Sequence, residues 1–109
     1  LPEWLGNSGC LEELHADGNR LTALPTRIGQ LANLETLRLY DNQLISLPES
    51  IGHLTRLKDI SAGRTRLVAL PEGMGEFPNL EKLDVRWNKL SAVPRWFQQL
   101  EERGCSVYI

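Results

Sequence analysis

The chain has 109 residues, with 12 Lys and Arg against 14 Asp and Glu and a formal net charge of −2. That length suits one domain, and that balance argues against a nucleic-acid binder that relies on bulk phosphate neutralisation. Hydrophobic residues at 41% and charged residues at 24% match ordinary globular usage, and no apolar run approaches the roughly 18 residues that span a bilayer.

The chain opens at Leu1, and Leu1-Pro2-Glu3-Trp4-Leu5-Gly6 reads as the back half of a repeat unit, so residues 1–10 form a partial unit. A start in mid-unit leads us to expect more chain ahead of Leu1. Four full units follow at 11–33, 34–56, 57–79 and 80–102, because Leu11, Leu34, Leu57 and Leu80 recur every 23 residues. Eight columns align in this way. Leu14, Leu37, Ile60 and Leu83 are followed by Ala16, Leu39, Ala62 and Val85. Then come the polar Asn19, Asn42, Thr65 and Asn88, and after them Leu21, Leu44, Leu67 and Leu90. Leu24, Leu47, Leu70 and Val93 each precede a proline, and Ile28, Ile51, Met74 and Phe97 precede Leu31, Leu54, Phe77 and Leu100.

Each column has a physical task. The Leu-x-x-Leu-x-Leu stretch contains a short strand whose alternate side chains enter a core shared between units, since one unit alone cannot bury that face. The Asn column falls where the chain leaves the strand, and its amides can satisfy backbone groups of their own unit and the next. Thr65 lacks one donor, so a looser turn is expected there. Proline opens a short helical return with its fixed φ. Gly29, Gly52 and Gly75 are expected to allow tight turning, with Gln98 in their place in the last unit. Residues 103–109 form a capping strand in which Val107 and Ile109 share a face. Trp96 and Phe97 act as a bulky seal, and the C-terminus is expected to be natural.

The segments LEELHADGNRLTALPTRIGQLAN and LETLRLYDNQLISLPESIGHLTR and their two successors resemble leucine-rich repeats of the 23-residue class with an LPxxIGxL return. The pattern is similar to Ras-interacting leucine-rich proteins of eukaryotes and to many bacterial leucine-rich proteins. The resemblance implies an α/β fold: a right-handed leucine-rich-repeat solenoid, with a parallel concave β-sheet and short helical or 3-10 return segments on the convex side. It also implies protein binding as the default role, without naming a GTPase or any other partner.

In such a solenoid the residues between the core leucines project from the concave face. Counted by unit with His neutral, that face carries −3, −1, +1 and 0, which suggests an oriented ligand. The candidate partner-binding residues are His15, Asp17, Arg38, Tyr40, Asp41, Arg64, Asp84, Arg86 and Trp87. Tyr40, Arg86 and Trp87 stand out, because Tyr, Arg and Trp dominate binding hot spots. The alternative for Trp87 is packing on Lys89 or on the terminal strand. Trp4 and Trp96 share one column of the outer return and read as end-cap packing.

Catalytic chemistry finds little support. His15 lies on the concave sheet and His53 on the outer return, so no metal site assembles and no cofactor is expected. Cys10 ends a return segment while His15 sits in mid-strand, so a nucleophile pair does not converge. No glycine-rich phosphate loop follows a strand, and Glu12 and Glu13 have no apolar pocket to raise a pKa. Cys10 and Cys105 would lie about 19 Å apart over four strand spacings, too far for a bridge. Separate thiols and the lack of an Asn-x-Ser/Thr sequon favour the cytoplasm, with a secreted bacterial effector acting in a host cytoplasm as the alternative.

We therefore expect a monomeric, non-enzymatic protein–protein interaction module that binds neither nucleic acid nor membrane. Self-association through the truncated N-terminal unit is the exception to watch. The rivals are a substrate-recognition segment of a larger kinase, ubiquitin ligase or effector, a structural spacer, and a carbohydrate site at Tyr40 and Trp87.

Overall fold

The structure is a computed structural model describing residues 10–109. The expected partial unit at 1–10 and the reading of Trp4 as a cap therefore lie outside the described residues, apart from Cys10, which is exposed.

Five three-residue strands form one parallel sheet in sequence order: β1 (Glu13–His15), β2 (Thr36–Arg38), β3 (Asp59–Ser61), β4 (Lys82–Asp84) and β5 (Ser106–Tyr108). Adjacent strands among β1 to β4 pair residues 23 apart, as in Leu14 with Leu37 and Leu37 with Ile60. The last step is 24, with Leu83 opposite Val107. The extra residue accompanies a change of return segment. The first three returns are 3-10 turns at Thr26–Gln30, Glu49–His53 and Glu72–Glu76, whereas the fourth is helix α1 at Trp96–Glu102. Gly104 closes α1 at φ 93. Its N–H donates to the Glu101 carbonyl, and the Cys105 N–H donates to that of Leu100. That bond pair is a Schellman stop, in which glycine adopts the left-handed backbone without a Cβ penalty.

The core lies between the sheet and the returns. Leu37, Ile60 and Leu83, the central residues of β2 to β4, have no exposed surface. Each such side chain contributes about 1.5–3 kcal/mol by leaving water, and only stacked neighbours make that burial possible. Pro25, Pro48 and Pro71 precede the 3-10 turns, and their carbonyls accept the Ile28, Ile51 and Met74 amides at 3.0–3.2 Å. Val93, expected in the buried column of Leu24, Leu47 and Leu70, is instead 61% exposed. It sits in the last unit, where no described unit packs beyond it, and it borders a hollow with Phe97, Val107 and Ile109. Ile109 is exposed for the same reason.

The asparagine column forms the expected ladder. Asn42 donates to the Ala16 and Leu39 carbonyls at 2.9 Å and accepts from Asn19 N and Leu21 N at 3.1 and 2.9 Å. Asn88 repeats the donor pattern on Ala62 and Val85. Thr65 joins the column in another way: its hydroxyl lies 2.9 Å from Asn88 Oδ1 and 3.1 Å from the Leu44 carbonyl, without the pair of strand-carbonyl bonds that Asn42 and Asn88 make.

The glycines of the returns answer to close approach. A Cβ on Gly29 would fall 2.5 Å from the Ser50 carbonyl oxygen, and one on Gly75 would fall 2.6 Å from Trp96 Cβ. Neither residue is among those with positive φ. They let successive returns stack at the strand spacing of about 4.8 Å, so the reading of these positions as tight-turn devices is corrected.

Candidate interaction surface

The first and third residues of each strand face away from the core. Glu13, Thr36, Asp59, Lys82 and Ser106 make one row, and His15, Arg38, Ser61, Asp84 and Tyr108 the next. Beyond the strands the turn column of Gly18, Asp41, Arg64 and Trp87 stacks through Gly18 N–H to Tyr40 O, Asp41 N–H to Gly63 O and Arg64 N–H to Arg86 O. All four positions have positive φ: 69, 61, 48 and 59°. Only the first is glycine, and an L-residue in this region costs about 1–2 kcal/mol. For a side chain as bulky as Trp87 such a backbone is an outlier of the kind that gathers at functional positions.

The nine candidates separate by what holds them. At the N-terminal end, His15 is exposed and bonds Glu13 of its own strand at 3.0 Å. Asp17 braces the first two units: one oxygen accepts the Tyr40 amide at 2.9 Å and the other pairs with Arg38 at 2.8 Å. The Tyr40 ring lies over Gly63, where an added Cβ would meet it at 3.2 Å. The smallest residue of that column thus makes room for the largest. Contact with Tyr40 and the nearby Asp41 charge raise the Arg64 pKa further above its ordinary value.

At the C-terminal end Asp84 is nearly buried, and both its oxygens bind the Arg86 guanidinium, at 3.1 Å to Nε and 2.8 Å to Nη2. Burial pushes the Asp84 carboxyl up, but the bonds from the Arg86 side chain and amide outweigh it and leave the pKa below the usual carboxylate value. Asp84 is thus a positioning group for Arg86. The guanidinium lies 5.3 Å from the centre of the Trp87 ring and 5.1 Å from that of Tyr108. Both distances suit cation–π attraction. Trp87 remains 65% exposed and Tyr108 42% exposed.

Tyr108 is the residue that sequence reasoning missed. Its signal was available, because a strand with Val107 turned inward must turn Tyr108 outward. Trp87 thus stays exposed and reaches the terminal strand by way of Arg86, which lies between its ring and that of Tyr108. An open hollow of about 690 Å³ lies between Tyr40, Asp41, Gln43, Arg64, Arg66 and Trp87. Among the described residues no three His, Cys, Asp or Glu side chains converge as metal ligands, and no helix is long and apolar enough to cross a membrane.

A family model described as a leucine-rich repeat region matches residues 3–102. Among solved structures, the Leptospira interrogans LRR protein LIC12759 is 34% identical with a TM-score of 0.89, covering 100% of this chain and 28% of that one. The LRR ectodomain of the receptor kinase SOBIR1 from Arabidopsis thaliana is 25% identical with a TM-score of 0.84, covering 99% of this chain and 60% of that one. The leucine-rich repeat domain of the type III effector XCV3220 (XopL) is 26% identical with a TM-score of 0.65, over 92% of this chain and 45% of that one. The chain thus spans less than two thirds of each of these proteins. No curated protein matches it. The fold is generally a protein–protein interaction module and is typically non-catalytic. An ordered parallel sheet, an asparagine ladder and this match over most of its length place the chain in the leucine-rich repeat family.

Proposed function

We propose that this chain is a binding module that captures another protein on the C-terminal half of its concave face and performs no catalysis of its own. The observation that carries the reading is the Arg86 guanidinium, fixed by Asp84 and flanked by the exposed rings of Trp87 and Tyr108. Preordered aromatic and arginine side chains bury large area at small entropic cost, which is the signature of a hot spot. Tyr40 and Arg64 extend the same surface toward the second unit, while His15, Asp17, Arg38 and Asp41 form its acidic-to-mixed approach. The module acts as a monomer in the cytoplasm, without nucleic acid or membrane as partner. Any self-association through the N-terminal unit concerns residues outside those described.

A second reading has this segment recognise substrates for a larger signalling enzyme or effector. It is favoured by the receptor-kinase ectodomain and the effector domain that the chain resembles.

The test compares wild type with a Tyr40→Ala/Arg86→Ala/Trp87→Ala variant as bait in lysate, read by mass spectrometry after circular dichroism has confirmed the fold. A protein retained by wild type and lost by the variant supports the concave site. Identical captures overturn it.

A further inference from the structure

A flank that lies beside the concave face carries a local excess of positive charge. The four turn segments 18–23, 41–46, 64–69 and 87–92 contain Arg20, Arg64, Arg66 and Lys89 against one carboxylate, Asp41, a local charge of +3 in a chain of −2. Burial alternates along each segment. Arg66 and Val68 are exposed about a buried Leu67, and Lys89 and Ser91 are exposed about a half-buried Leu90. In the unit before, Gln43 is half-buried and Ile45 exposed about a buried Leu44. Residues two apart therefore share one outward side. The segments are stacked by Gln43 N–H to Leu21 O, Arg66 N–H to Leu44 O and Lys89 N–H to Leu67 O, so Arg20, Gln43, Arg66 and Lys89 form one column up the flank that is basic at every position but Gln43. Beside it Val68 N–H bonds Ile45 O at 3.1 Å, setting two exposed aliphatic side chains in adjacent rows. They are 58% and 43% exposed.

Arg20, Arg66 and Lys89 are available in a way that the cations of the concave face are not. Arg38 is held by Asp17, Lys58 by Glu35 and Arg86 by Asp84. Arg20, Arg66 and Lys89 make no ion pair among the described residues.

We propose that this flank is a second docking strip, which takes an extended segment of a partner protein in which acidic and aliphatic residues alternate. Acidic side chains pair with Arg20, Arg66 and Lys89, and aliphatic ones lie on Ile45 and Val68. Three strand spacings at about 4.8 Å give a strip near 14 Å, the length of four or five extended residues at about 3.3 Å each. A nucleic-acid backbone fits less well. It has no use for the aliphatic row, and its continuous charge would meet the acidic first unit, where Glu12 and Glu13 are exposed. The strip is independent of the concave site and can hold whether or not that reading does.

The probe is a fluorescein-labelled 12-residue peptide of alternating Glu and Leu, followed by anisotropy at low and physiological salt. Its controls are the matching Gln–Leu peptide and a single-stranded oligonucleotide of equal charge. The expected result is binding that weakens with salt and is at least tenfold tighter than for either control. Arg66→Glu/Lys89→Glu should lower it at least tenfold and Ile45→Ser/Val68→Ser severalfold. Arg86→Ala/Tyr108→Ala, on the concave face, should change it less than twofold. The proposal is overturned if wild type binds none of the acidic peptide, if the oligonucleotide or Gln peptide binds as well, or if the charge-reversed variant binds like wild type. Loss in the concave variant would assign the peptide to the concave site and also refute the strip.

Discussion

Asn42→Ala isolates the joint that ties one unit to the next. The Asn42 side chain is nearly buried and makes four hydrogen bonds of 2.9–3.1 Å to backbone groups of residues 16, 19, 21 and 39. At about 1 kcal/mol net for each bond the truncation would cost about 4 kcal/mol. Water reaches the exposed Asn19 amide and in part that of half-buried Leu21, which reduces the expected loss to about 3 kcal/mol. Asn19 is the internal control. It is exposed, and its amide donates to the Asp17 carbonyl alone at 3.1 Å, so Asn19→Ala should cost less than about 1 kcal/mol. Urea unfolding followed by circular dichroism measures both, with comparable m-values as the condition for comparing midpoints. Asn42→Asp sharpens the test, because it keeps the acceptor for Asn19 and Leu21 but turns carboxylate oxygen toward the Ala16 and Leu39 carbonyls. It should be at least as damaging as alanine. If Asn42→Ala and Asn19→Ala fall within about 0.5 kcal/mol of each other, the ladder is not what holds the units in register.

Three further outcomes follow from the packing and the titrating groups. Gly29→Ala drives a Cβ to 2.5 Å from backbone oxygen and should destabilise by about 1–3 kcal/mol, whereas Gly52→Ala meets only Gly73 Cα at 3.4 Å and should stay within about 0.5 kcal/mol of wild type; thermal melts of the pair separate stacking from turn flexibility. The depressed Asp84 pKa means its stabilisation is complete above the unfolded value of about 3.9 and fades as pH falls through the folded one. Asp84→Asn should therefore be less stable than wild type by about 1 kcal/mol at pH 7, and the gap should close below about pH 4 in acid titrations. Cys10 is exposed while Cys105 is buried, and burial raises the Cys105 thiol pKa. Ellman's reagent should thus label one thiol at once and the second only on unfolding, and two fast thiols would refute that placement.

The sequence alone determined the architecture. A 23-residue period in eight columns leaves one way to bury every leucine, which is to stack the units, and β1 to β4 pair in that register. It also makes Tyr40, Arg86 and Trp87 candidates, because residue type and column are local properties. Other features waited for the tertiary structure, since they depend on what neighbouring units bring alongside. The 24-residue step into β5 arises because the last return winds as an α-helix, and this carries Tyr108 opposite Asp84 and beside Arg86. Asp84 reads as one more surface carboxylate until Arg86 folds back onto it. The spacing of Gly29 and Gly75 is visible in the chain, but their reason, the approach of Ser50 and Trp96 from the next unit, is a contact 21 residues away. Periodicity determines which residues go inside, whereas the pairing of side chains across stacked units decides which exposed groups are already engaged and which are available to a partner.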